Sequence, residues 1–219
     1  FLKNIFFQSM PIIISICGYS IASAIVFKYA GLSGEYAAAG YGAGTKIEQV
    51  VLLPILGINT AIITIIAQNF GARNYERVKE AYFGAIKYAL IIMLFCSVTV
   101  FIFSNHITSV FSNDPTVIEY GGKYLQISAF VLTAYPIFFL SNGFFMALKK
   151  SEYAMISNFF RNVLNPVTVF YFAKLYDASF AQFFWIWVII NWLFSTGYFL
   201  FTFNYMRSKL NKSGAVVNP

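Results

Sequence analysis

Charge is scarce in this chain. Asp, Glu, Lys and Arg make up 11% of its 219 residues, against about 25% in a soluble domain. Histidine occurs once, as His106, and cysteine twice, as Cys17 and Cys96. Both cysteines fall inside apolar runs, where a thiol behaves as a small buried hydrophobe and implies no disulfide. With one His and no Cys/His spacing, a zinc site is excluded. No phosphate-cradling glycine loop and no Ser/His/Asp set is present, so the sequence implies no enzyme, no metal and no cofactor. Acids are the rarer charge, 8 against 15 Lys and Arg, for a net charge of +7. The basic residues sit in short segments between apolar runs, which speaks for loops at a membrane surface and against a nucleic-acid partner. The chain starts at Phe1 rather than Met, which reads as a fragment or trimmed chain, and no cleavable leader pattern is visible.

What the sequence holds instead is hydrophobic length: 59% of residues are apolar, with 26 Phe and 15 Tyr spread along the chain. Apolar runs at about 10–30, 45–70, 82–103, 123–148, 153–175 and 180–206 are each long enough to cross a bilayer as a helix. The expectation is therefore an all-α, polytopic membrane protein. Residues 1–206 form one six-helix transmembrane lobe, and 207–219 form a polar cytoplasmic tail. Asn105–Gly122 reads as the longest polar connector, and Gly31–Gly44 as either a loop or a small-residue extension of the next helix.

Basic residues split unevenly between the two sides. Lys3, Arg73, Arg77, Lys79, Lys87, Lys149, Lys150, Arg161, Arg207, Lys209 and Lys212 fall on one side, and Lys28, Lys46, Lys123 and Lys174 on the other. Short positive loops stay cytoplasmic, so both termini are expected in the cytoplasm, across a cell (inner) membrane. Trp185 and Trp187 then fall near the outer interface.

The stretch Lys46–Arg77 organises the rest. Pro54 lacks the N–H that the carbonyl of Val50 would accept from, so a kink is expected there. Gly57 follows, and Thr60, Thr64 and Gln68 form a polar stripe on an apolar rod. Glu48 is the one acid placed within a span, which makes it the candidate for ion coupling; the alternative is a solvated acid near the outer interface. Lys46, two residues away, points roughly the other way on a helix. In the fifth span Asn158, Arg161, Asn162 and Asn165 recur at spacings of three and four, either as a substrate-facing wall or as interhelical hydrogen-bond glue. Arg161 is expected to snorkel to the cytoplasmic headgroups. Tyr19, Asn59, Tyr135 and Asn142 complete the candidate cavity set, in which the tyrosines would meet a cationic ligand through cation–π contact.

The segment A-A-A-G-Y-G-A-G-T-K-I-E-Q-V-V-L-L-P at 37–54, followed by A-Q-N-F-G-A-R-N-Y-E-R-V at 67–78, resembles the eighth helix of the multidrug and toxic compound extrusion (MATE) family. Pro54, Gln68, Asn69, Gly71, Ala72 and Arg77 carry the motif in what reads as a structural role. The whole chain resembles the C-terminal six-helix lobe of a family whose members have twelve helices in two lobes. The resemblance implies secondary active efflux of lipophilic or cationic organic compounds, driven by H⁺ or Na⁺, with an N-terminal six-helix lobe as the missing partner. In the Na⁺-coupled branch an acid lies shortly after the proline of the first helix, where this chain has Gly18 or Tyr19. A second acid lies where this chain reads T-A-Y-P-I. The resemblance is therefore closer to the DinF-like branch, whose proton-linked carboxylate lies in the first lobe. A lipid-linked saccharide flippase of the same superfamily and a non-transporting truncated remnant are the alternatives. A flippase needs a strongly basic cavity for pyrophosphate, and Lys46 and Arg161 are the only intramembrane cations expected.

Overall fold

The computed structural model describes residues 18–215, and every regular element among them is a helix. The start of the first predicted span lies outside the described residues; its remainder is helical over 18–32 (α1). Then come α2 (Glu35–Val51), α3 (Leu53–Gly71), α4 (Tyr75–Ser109), α5 (Pro115–Leu132) and α6 (Tyr135–Ala147). They are followed by α7 (Ser151–Phe159), a π-helical turn (Phe160–Leu164), α8 (Asn165–Leu175) and α9 (Phe180–Ala215).

The prolines punctuate this order. Pro54, Pro136 and Pro166 each occupy the second residue of a helical segment, and Pro115 the first residue of α5. Each interior proline withholds a donor from the carbonyl four residues earlier and crowds it. The chain answers in three ways. At Pro54 only Leu52 leaves the helix; its N–H still reaches Glu48 O at 3.0 Å and its own carbonyl accepts from Leu56 at 3.2 Å. So α2 and α3 act as one apolar rod of 37 residues. At Pro136 the α5–α6 pair bends by 48°. Ahead of Pro166 the helix widens into the π turn, which inserts one extra residue. Three described helices are long and apolar enough to cross a membrane: Glu35–Gly71, Tyr75–Ser109 and Phe180–Ser208. Counting the bent α5–α6 pair as one span makes four.

Two expectations change. The Gly/Ala-rich stretch is helical: Gly34, at φ 111°, makes the turn after α1, and α2 begins at Glu35. A left-handed φ of this kind is open to glycine without strain. The polar connector shrinks to 110–114, because α4 runs on to Ser109 and α5 starts at Pro115. Thr108, Gly121 and Gly122 of this stretch serve helix contact, whereas Asn105, His106, Asn113, Thr116 and Glu119 stay exposed. A methyl on Gly121 would meet Thr108 Cγ2 at 2.5 Å, and Gln126 Nε2 donates to Ser104 Oγ at 3.1 Å.

The aromatics also gather more than their spread along the sequence suggested. One buried cluster joins α1, α2, α5 and α9, with Tyr29 stacked on Phe183 at 4.0 Å between centroids. A second joins α3, α4, α6 and α9 around the fully buried Tyr82, Phe138, Phe144 and Phe145. Facing outward is a belt of exposed apolar side chains, including Tyr88, Phe95, Ile102 and Leu193, as a lipid-facing surface requires.

Candidate functional site

A cleft of about 430 Å³ opens between α1, α2, the start of α6, the α7–π segment and α9. Its polar centre is assembled by small residues and helix breaks. Gly44 leaves room for the ring of Tyr124: a methyl there would stand 2.3 Å from Tyr124 Cδ1. The Tyr124 ring is further fixed edge-on by Tyr41 and Phe184, at 5.0 and 4.8 Å between centroids. One turn along α2 from Gly44 is Glu48, and the Tyr124 hydroxyl donates to Glu48 Oε2. Tyr135 stands at the break before Pro136 and donates its hydroxyl to Glu48 Oε1 at 2.6 Å. The half-buried carboxylate thus accepts from two tyrosines on another element pair. Hydrogen bonds to a charged acceptor contribute about 1.5–3 kcal/mol each, enough to fix the carboxylate in one place.

Arg161 occupies the π turn. Its Cζ lies 4.7, 4.4 and 5.2 Å from the ring centroids of Tyr135, Phe138 and Phe139. The guanidinium therefore turns into the cleft over aromatic faces instead of running to the headgroups. Such contacts contribute about 0.5–2 kcal/mol each, and the Tyr135 hydroxyl oxygen, whose own proton goes to Glu48, interacts with the same guanidinium. No carboxylate of the described residues lies within ion-pair distance of Arg161 or of Lys46. Lys46 edges the same cleft as Glu48, although their spacing on the helix separates their directions.

The candidate residues divide on this geometry. Tyr19, Glu48, Tyr135, Asn158 and Asn162 line the cleft. Asn142 lies behind the wall: buried, it accepts from Ser157 Oγ at 2.7 Å and Tyr198 Oη at 3.2 Å, and its amide donates to Asn158 Oδ1 at 3.4 Å. Asn165 is buried away from the cleft, because the π turn carries it out of register with Asn158 and Arg161. Neither its amide nitrogen nor its oxygen has a hydrogen-bond partner among the described residues. Asn59 sits on α3 with its buried Oδ1 unpartnered, where a methyl on Gly143 would come within 2.2 Å.

The sequence reading missed Tyr124, which lies 76 positions from Glu48, and did not place Trp187, which lines the cleft, in the candidate set. Gly40 and Gly44 were the available signal, since paired small residues mark where a neighbour approaches.

The motif residues 54–77 build a tight helix–turn–helix. Asn69 Nδ2 caps back onto Ile65 O at 2.8 Å, and the Asn69 carbonyl accepts from Asn74 N at 2.9 Å. The Gln68 carbonyl accepts from Ala72 at 3.0 Å just past Gly71, and Asn74 Oδ1 takes Arg77 N–H at 3.2 Å to start α4. The Arg77 side chain is exposed, 4.0 Å from Glu80.

A family model described as MatE matches residues 11–171. Among characterised proteins, the chain is 29% identical over 107 residues to an FAD transporter of Shewanella oneidensis, covering 49% of this chain and 24% of that protein. It is 25% identical over 155 residues to multidrug export protein MepA of Staphylococcus haemolyticus, covering 71% and 34%. Its fold is similar to that of a MOP superfamily transporter from Pyrococcus furiosus, with TM-score 0.88 at 24% identity, covering 96% of this chain and 47% of that one. It is similar also to an outward-facing multidrug resistance MATE family transporter, with TM-score 0.87 at 24% identity, covering 96% and 48%. The chain therefore spans a quarter to a third of the length of these curated relatives and about half that of the solved structures.

Proposed function

The chain belongs to the MatE family, and from that premise we propose that it is the C-terminal half of a secondary active exporter of lipophilic or cationic organic compounds. Six spans cross a cell (inner) membrane, with both termini in the cytoplasm, and a proton or sodium gradient drives the cycle. The observation that carries the reading is the cleft. It is walled by aromatic rings, it holds a carboxylate and a guanidinium fixed in place, and it lies between helices broken by proline or a π turn. Irregular backbone at membrane depth is tolerated where it lines a cavity, and carriers built from two halves bind substrate at the interface between them. An N-terminal six-helix lobe would complete the cavity.

Within this half, Glu48 is the acid available for ion coupling. Its two oxygens are already engaged by Tyr124 and Tyr135, and the DinF-like resemblance puts the proton-linked carboxylate in the other lobe. Glu48 is accordingly read as a fixed anchor of the cavity wall. The test uses everted membrane vesicles containing the complete gene product. A proton or sodium gradient should drive ethidium into the vesicles, and dissipating both gradients should stop it. Absence of gradient-dependent uptake with the protein correctly inserted would reject an exporter.

A further inference from the structure

A second cleft, of about 260 Å³, lies where α4 begins and α9 ends, and it shares no lining residue with the first. Lys79, Phe83, Phe203, Met206 and Arg207 form it. Lys79 and Phe83 are four residues apart on α4, and Phe203 and Arg207 four apart on α9, so each pair shares a helix face. The two helices run in opposite senses here. Both cations therefore stand at the end of the bundle, and both rings lie one turn, about 6 Å, further in. The rings meet edge-on at 6.3 Å between centroids and stay exposed beside the outward apolar belt, over a buried Met206.

Charge in this cleft is left over. Arg207 has no carboxylate within ion-pair distance among the described residues, and the sequence holds no acid after Asp177. Lys79 bonds Glu76 at 2.8 Å, but the Glu76 side chain is 81% exposed, and an exposed pair of this kind holds weakly. The nearby Arg77 and Glu80 answer each other. A guanidinium fork matches a phosphate in two-point contact, and an ammonium adds a point charge beside it. Basic recesses between membrane helices suit anionic lipid headgroups. A free phosphate would use the cations and leave the rings bare; a phospholipid uses both, because its acyl chain starts one step deeper than its phosphate.

We propose that this cleft binds one anionic phospholipid, its phosphate on Arg207 and Lys79 and the start of an acyl chain along Phe83, Phe203 and Met206. The site goes beyond the exporter reading and does not depend on what the larger cleft carries. The topology proposed above puts it in the cytoplasmic leaflet.

The test uses the complete transporter, stripped of lipid in detergent and titrated in native mass spectrometry. Dioleoyl phosphatidylglycerol should fill its first site at least about fivefold more tightly than dioleoyl phosphatidylcholine, roughly what one basic residue contributes beside an anionic lipid. The double variant Lys79→Gln/Arg207→Gln should lose that preference. Arg77→Gln, outside the cleft, should keep it. A measurement on the unaltered protein guards against misfolding of the variant. In phosphatidylcholine nanodiscs, a phosphatidylglycerol carrying a diazirine near the start of its acyl chain should crosslink to peptides holding residue 83 or 203–206. Excess unlabelled phosphatidylglycerol should suppress the crosslink, and water-soluble glycerol 3-phosphate should not. Suppression by glycerol 3-phosphate would make this a site for soluble phosphates and overturn the lipid assignment. Equal affinity for the two lipids, a preference that survives in the double variant, or crosslinks spread evenly over the lipid-facing helices would overturn it too. Gradient-driven ethidium uptake without the crosslink would remove this proposal and leave the exporter reading standing; the crosslink without uptake would do the reverse.

Discussion

Replacing Gly40 by alanine puts a methyl group where α2 crosses α5. The added carbon would lie 2.7 Å from Gly121 N, 2.8 Å from Tyr120 Cβ and 2.9 Å from Val117 O. Two of those atoms are backbone, so no side chain can swing aside. Carbon contacts settle at about 3.5–4.0 Å, so the two helices must separate by roughly 0.7 Å or deform. Overpacking of this kind costs about 1–3 kcal/mol. Alanine returns about 0.5–1 kcal/mol by restricting the unfolded chain; because backbone atoms block the methyl, the cost falls in the upper half of the overpacking range, about 2–3 kcal/mol, leaving a net loss of about 1–2.5 kcal/mol. For a domain of this size that lowers the melting temperature by about 2–10 °C. Gly57→Ala is the matched control. No atom lies within 4 Å of its added methyl, so only the gain remains and stability should hold or rise slightly. Thermal unfolding of the complete protein in detergent, followed by fluorescence-detected gel filtration, reads both variants. A Gly40→Ala protein as stable as the parent would refute the close crossing, as would a Gly57→Ala protein that falls equally far. The consequence reaches the site, since Glu48 lies eight residues further along the same helix, about 12 Å. A displaced α2 should also loosen the Tyr124–Glu48 hydrogen bond.

The same picture makes further predictions. With the two native cysteines replaced, Asn113→Cys should be labelled from outside intact cells by an impermeant maleimide and Lys150→Cys should not; the reverse pattern would invert the topology. Proteoliposomes holding this chain by itself should show no gradient-driven ethidium movement, because the cavity needs a second wall; robust movement would point to two copies pairing as a carrier. Glu48→Gln in the complete protein should keep pH-driven export within about twofold at normal membrane levels, since an amide can still bond both tyrosines; complete loss of export would assign coupling to Glu48. Asn142→Leu should destabilise the protein by about 1–3 kcal/mol in thermal unfolding, because the Ser157 and Tyr198 hydroxyls lose their acceptor; an unchanged melting curve would make that buried network dispensable.

Helix class and the positions of the breaks were legible in the sequence because both rest on local rules. Apolar run length and the missing N–H of proline act within one turn of chain, and Pro54, Pro136 and Pro166 each mark a real discontinuity. The depth of each discontinuity was not legible, because a single displaced residue at Leu52, a 48° bend and a π turn differ only in what packs around them. The connector at 105–122 was misjudged for a related reason. Asn105, Thr108, Gly121 and Gly122 are loop-forming residues in water, but here Gly121 and Gly122 make room for Thr108 and Asn105 of α4, and Thr108 turns its hydroxyl back onto the Ser104 carbonyl. Glu48 was singled out on charge alone, while its partners lie 76 and 87 positions away, beyond any periodicity. Yet the breaks locate the site better than the charges do. Tyr135 precedes the Pro136 bend by one residue, Arg161 sits in the π turn ahead of Pro166, and Glu48 supplies the last regular hydrogen bond before Leu52. Three of the cleft's polar side chains, Glu48, Tyr135 and Arg161, thus stand beside places where helix regularity is interrupted, at Leu52, at the Pro136 bend and in the π turn, while others such as Lys46 and Tyr124 come from uninterrupted helix.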